Sequence, residues 1–175
     1  MLFKVLCDML TEYFCFFTMK NWIKIILCIT VCEAAGILGT VATSPNIPTW
    51  YASLNKPSFN PPSWLFGPVW TTLFALMGIA LYLVVQKKIK TKQQKLAVTL
   101  FGLQLAVNVL WSFLFFGMHQ PLWAFVDLVL LWLLIAACIV LFYRQNKWAG
   151  ILLVPYIAWV SFAGILNFAI YRLNS

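Results

Sequence analysis

Five apolar runs, each close to the ~20 residues a helix needs to cross a hydrocarbon core, constrain this chain more than any other feature. They fall at about 22–43, 64–85, 96–117, 122–143 and 148–170. With 63% hydrophobic and only 9% charged residues, the 175-residue chain lies far outside the composition of a water-soluble domain. The expected fold class is an all-α integral membrane protein, a five-transmembrane-helix bundle. Strands of a membrane barrel would alternate apolar and polar residues over segments of ~10 residues, and that alternation is missing.

The charges give an orientation. Lys4, Lys20, Lys24, Lys87, Lys88, Lys90, Lys92, Lys95, Arg144 and Lys147 fall on one side of the five spans, against Lys56 and Arg172 on the other. By the positive-inside rule a multi-pass protein of the cell membrane is expected, with the amino terminus cytoplasmic and the carboxyl terminus outside. The same lysines account for the net charge of +8, so no nucleic-acid partner is needed; the bilayer itself is the expected one.

Residues 1–19 read as an amino-terminal extension, either an interfacial helix or disordered, and Met19 followed by Lys20 is an alternative start. The membrane domain is expected over 20–175, with connections too short for a soluble domain. The five cysteines and the single histidine, His119, form no ligand cluster. No metal site and no cofactor are expected.

The stretch 50–70 is rich in proline and aromatic residues: Trp50, Tyr51, Pro57, Phe59, Pro61, Pro62, Trp64, Phe66 and Pro68. Its prolines fix φ and disfavour helix in the residues before them, so a stiff loop presenting aromatic rings is expected. Lys56 in this loop reads either as an interfacial lysine holding it or as a partner for a ligand carboxylate.

Polar groups inside spans are costly in lipid, which makes their positions informative. Asn108, Trp111, Ser112 and Phe115 follow i, i+3, i+4, i+7 and share one face of the third helix. Trp70 and Phe74 stand one turn apart on the second. Tyr156, Trp159, Ala163 and Asn167 share a face of the fifth. At about 1.5 Å per residue, Trp70 lies roughly 10 Å in from its end of the membrane, with Trp111 and Asn108 at similar depth and Asp127 about a turn and a half into the fourth helix. These groups converge beneath the proline-rich loop. A lidded pocket for a flat, largely apolar ligand is one reading, and ordinary helix packing is the other. Asp127 either faces the ligand or accepts an indole N–H. Glu33 reads as a protonated group, a helix-pairing contact or part of a proton path. Ala34, Ala35, Gly36, Gly39 and Ala42 suit close helix approach, within the chain or between protomers.

Three motifs then converge. WYxxLxKPxxxPPxWxFGxVW over 50–70, NxxWSxxFF over 108–116 and PYxxWxxFAxxLNxxI over 155–170 resemble the TspO/MBR family of membrane translocator proteins, and the resemblance covers about 20–174. It implies a five-helix bundle, commonly a homodimer, that binds protoporphyrin IX or haem, sterols in some members, and synthetic benzodiazepine-type ligands. Residue by residue, it implies a ligand site at Trp50, Tyr51, Trp70, Phe74, Asn108, Trp111, Ser112, Asp127, Trp159 and Ala163. Trp70 and Trp159 match the tryptophans tied to light-dependent porphyrin breakdown in bacterial relatives, which would make them the catalytic pair. Two departures stand out. Leu166, Tyr171 and Arg172 lack the spacing of a sterol-recognition pattern, and Phe115 is apolar where some relatives are polar.

Two function classes follow. The first is a tetrapyrrole-binding membrane protein, supporting light- and oxygen-dependent porphyrin degradation or stress regulation without a conventional enzyme's machinery. The alternative is a transporter of porphyrins or other small hydrophobic molecules, although no repeat pair or broken helices point to alternating access.

Overall fold

The computed structural model describes residues 20–86, 89 and 91–175; the reading of residues 1–19 lies outside them. Among these described residues six α-helices follow in order: α1 (Asn21–Thr43), α2 (Ser63–Val85), α3 (Lys92–Ser112), α4 (Pro121–Gln145), a short α5 (Lys147–Ile151) and α6 (Val154–Asn174). Among the described residues there are no strands, and five helical stretches are long and apolar enough to cross a membrane. The protein is a multi-pass membrane bundle of five spans, the last formed by α5 and α6 together (Lys147–Asn174).

The ring order is α2, α1, α3, α4 and α6, and α2 closes the ring by packing on α5. That closure is made at the end of the bundle where Lys20, Lys92 and Lys147 cluster, here called the lysine end; the other is the loop end. The dry core includes Met77, Ile135, Leu131 and the stacked pair Phe101–Phe142, whose ring centroids lie 5.4 Å apart. A smaller aromatic cluster of Tyr51, Phe115, Phe116, Leu166 and Ile170 packs at the loop end.

Helix ends follow local chemistry. Thr91 accepts from the Gln94 backbone N–H at 3.1 Å while the Gln94 side chain accepts from Thr91 N–H at 3.1 Å, a reciprocal cap that starts α3. Asn146 accepts from Trp148 N–H at 2.9 Å and opens α5 after the sharp corner from α4. Gly150 is required at that corner, because a Cβ there would lie 2.9 Å from the Tyr143 backbone nitrogen. Pro155, in the first turn of α6, coincides with the break between α5 and α6.

The first span differs from expectation. Instead of ending near Thr43 and leaving Trp50 and Tyr51 in the loop, it continues through a 3₁₀ turn (Ser44–Asn46) and a π turn (Ile47–Tyr51). Pro45 and Pro48 are the second residues of these turns, within the first turn, where proline is tolerated. Trp50 and Tyr51 are therefore carried on a helical extension.

Candidate ligand site

Between the lysine-end core and the loop-end cluster lies a cavity of about 450 Å³, within the size range of small-molecule sites. Its walls come from four spans. From α2 it takes Phe66, Trp70 and Phe74; Trp70 stacks on Phe74 with centroids 5.6 Å apart and meets Tyr156 edge-on at 6.3 Å. From the face of α3 predicted by spacing it takes Asn108, Trp111 and Ser112, extended by Phe115 in the π turn that follows. From α6 it takes Trp159, Ala163, Leu166, Asn167 and Ile170, and Trp159 meets Phe66 edge-on at 6.0 Å.

The polar groups in and behind these walls are mostly committed to one another. Tyr156 Oη accepts from Asn108 Nδ2 at 3.0 Å and donates to Gln104 Oε1 at 2.9 Å. The indole N–H of Trp111 donates to Asn167 Oδ1 at 3.1 Å, and Asn167 Nδ2 donates to the Pro121 carbonyl at 2.7 Å. Asn167 thus ties α3, the start of α4 and α6 together at the cavity wall. By contrast the Trp159 indole N–H is buried with no hydrogen-bond partner. An unpaired buried donor is costly, and this one belongs to a cavity wall.

The chain from Tyr51 to Ser63, here called the roof, runs across the loop end of the bundle between two residues that line the cavity. Tyr51 is buried and donates from Oη to Asn60 Oδ1 at 2.7 Å. Lys56 Nζ donates to the carbonyls of Ala52 and Leu54 at 3.2 and 3.1 Å and lies 4.9 Å from the centre of the Tyr51 ring, so it fastens the loop. Phe59 packs edge-on against Phe162 at 6.4 Å. Asn174 at the end of α6 bonds the Asn55 backbone N–H and carbonyl, each at 2.9 Å.

Eight of the ten residues singled out from the sequence line this one cavity: Tyr51, Trp70, Phe74, Asn108, Trp111, Ser112, Trp159 and Ala163. Trp50 and Asp127 do not. Trp50 stacks on His119 at 4.4 Å and packs edge-on against Phe115 at 5.4 Å, behind the wall. His119, whose φ is 54°, is held in the left-handed region by that stack and by a 3.0 Å hydrogen bond to Asn46. Asp127 is buried on α4 with Oδ2 unpaired, outside the lining.

The first helix supplies lining residues that spacing had not selected as a site: Glu33, Gly36, Gly39, Thr40 and Thr43. The small residues serve contacts inside the chain. A Cβ on Gly36 would fall 2.7 Å from Phe74 Cδ2, and one on Gly39 would fall 2.8 Å from Ser112 Oγ. Leu166 lies outside the selected set, although it stands one turn from Ala163 on the same face of α6.

Comparison with known proteins settles the family. The sequence profile of the TspO/MBR family matches residues 28–172. The chain belongs to the TspO/MBR family. It is 47% identical over 155 residues to the tryptophan-rich protein TspO of Chlorobaculum tepidum, covering 89% of this chain and 98% of that protein. Against the tryptophan-rich protein TspO of Archaeoglobus fulgidus the identity is 43% over 155 residues, 89% and 99% of the two chains. The translocator protein of Homo sapiens is 45% identical over 128 residues, 71% of this chain and 75% of that one. As a TspO/MBR protein, this chain keeps its motif tryptophans Trp70, Trp111 and Trp159 around one space.

Proposed function

We propose that this TspO/MBR protein binds a flat tetrapyrrole, protoporphyrin IX or haem, in the cavity between α1, α2, α3 and α6. The observation that carries this reading is the wall itself: Trp70, Trp111 and Trp159, with Phe66, Phe74 and Phe115, surround about 450 Å³. Aromatic faces suit a planar macrocycle through offset and edge-on contacts. The unpaired indole N–H of Trp159 offers a donor to a ligand's polar edge. Trp70 and Trp159 also supply electron-rich rings to a photoexcited macrocycle, which is the chemistry that light- and oxygen-dependent porphyrin breakdown calls for.

The test is a tryptophan-fluorescence titration of purified protein with protoporphyrin IX in the dark, beside Trp70→Phe and Trp159→Phe, followed by illumination in air with absorbance recorded. Saturable quenching is expected, with loss of the porphyrin bands on illumination slowed in both variants. Absence of saturable binding to the native protein would end the tetrapyrrole reading. Saturable binding with equal bleaching in all three proteins would leave binding and end the photochemical role.

A further inference from the structure

The cavity is not walled equally on all sides. Its lining residues on α3 and α6, and in the π turn after α3, are all buried or half-buried. Every lining residue that is exposed comes from α1, the turn just after it, or α2: Ile37, Thr40 and Ser44 on one side, Ser63, Trp64, Gly67 and Thr71 on the other. Ile37 is 65% exposed and Trp64 72%. Within each set the spacing is that of one helical stripe, 37, 40, 44 and 64, 67, 71.

The two stripes face the same gap. Phe66 and Trp70 turn towards α6, as their contacts with Trp159 and Tyr156 show. Gly67 and Thr71 each follow by one position and so point about 100° further round the helix, away from α6. On the lysine side of the gap the helices are in contact, Gly78 against Ile29 and Phe74 against Gly36. Beyond Gly36 the two stripes line the cavity instead. From Gly36 to Ser44 the cleft runs about 12 Å along α1, inside the stretch that crosses the membrane.

The roof, by contrast, is fastened at Tyr51–Asn60, Asn55–Asn174 and Phe59–Phe162. We propose that the ligand enters the cavity sideways from the bilayer, through the cleft between α1 and α2 in the leaflet at the loop end, and that the roof stays shut during entry. The occupant is then an amphiphile already dissolved in lipid, a flat ring passing edge-first between Thr40 and Gly67. This rests on the cavity being a ligand site.

Gly67 makes the route testable, because a Cβ added there meets nothing within 4 Å. In lipid nanodiscs loaded with protoporphyrin IX, Gly67→Leu is expected to slow both association and dissociation, read by stopped-flow tryptophan quenching, by tenfold or more. Thr40→Phe, on the opposite wall, is expected to do the same, so the test survives failure of either variant to fold. Asn174→Ala, which removes one of the roof's three fastenings, is expected to leave both rates as in the native protein. Unchanged rates in both cleft variants, faster dissociation in them, or accelerated entry in Asn174→Ala would each overturn the lateral route. If the native protein shows no saturable quenching, it is the tetrapyrrole reading that fails.

Discussion

Gly78 of α2 and Ile29 of α1 bring two backbones into close contact: a Cβ built on Gly78 would lie 2.5 Å from the Ile29 Cα and 2.8 Å from its nitrogen. No rotamer change relieves a clash with backbone, so the helices must part. Gly78→Ala is expected to lower stability by about 1–3 kcal/mol, the usual range for overpacking, despite alanine's better helix propensity. Gly67→Ala is the control, since its Cβ meets open space, and it is expected to be neutral or stabilising by up to about 1 kcal/mol. Thermal unfolding of both variants in detergent compares them directly.

Tyr156 lies 1% exposed between two amides. Its hydroxyl satisfies Asn108 Nδ2 and Gln104 Oε1 together, and Gln104 Nε2 already lacks a partner. Tyr156→Phe would strand a donor and an acceptor in the core, at a cost of about 1–3 kcal/mol. The ring remains, and with it the edge-on contact to Trp70. A lower unfolding temperature with a protoporphyrin affinity within about threefold of native is expected, and titration beside thermal melting checks both halves.

The bundle was legible because length and hydropathy decide membrane spans almost without regard to packing. Much of the cavity was legible because Asn108, Trp111 and Ser112, or Trp159 and Ala163, repeat at helical spacing on one face. What stayed hidden depends on how helices rotate against each other. Asp127 has the right depth, yet its place on α4 puts it outside the lining. Gly36 and Gly39 look like a packing stripe and do pack, against Phe74 and Ser112, while also lining the cavity. The helical run through Pro45 and Pro48 was hidden because proline breaks a helix interior but is tolerated in the first turn of a new helical segment.

Trp50 and Asp127 sharpen the boundary of the site. Both belong to the set that the family resemblance implies, and both stand outside the lining. Trp50 braces Phe115 and His119 from behind, and Asp127 is enclosed on α4. Asp127→Asn is expected to change protoporphyrin affinity less than twofold. Trp159→Phe, which removes a lining indole and its unpaired N–H, is expected to weaken binding about tenfold, near 1.4 kcal/mol. Trp50→Phe should fall between them, since it loosens a wall without lining it. Parallel dark titrations rank the three.

Glu33 puts a carboxyl on the cavity wall, and no hydrogen bond to another described residue engages it. A carboxyl group there offers a ligand's carboxylates no permanent donor, and when ionised it repels them. Glu33→Gln keeps the shape and replaces one oxygen with an amide N–H₂. Binding of protoporphyrin IX, which carries two propionates, is expected to tighten by about three- to tenfold, a part of the roughly 1.5–3 kcal/mol a hydrogen bond to a charged group contributes. Its dimethyl ester, with no charge to repel, is expected to show little change. Side-by-side titration of acid and ester with native protein and Glu33→Gln separates the two effects. An equal gain for both would assign Glu33 a role in packing. A gain for the acid alone would make it the residue that sets which end of the macrocycle faces the middle of the membrane.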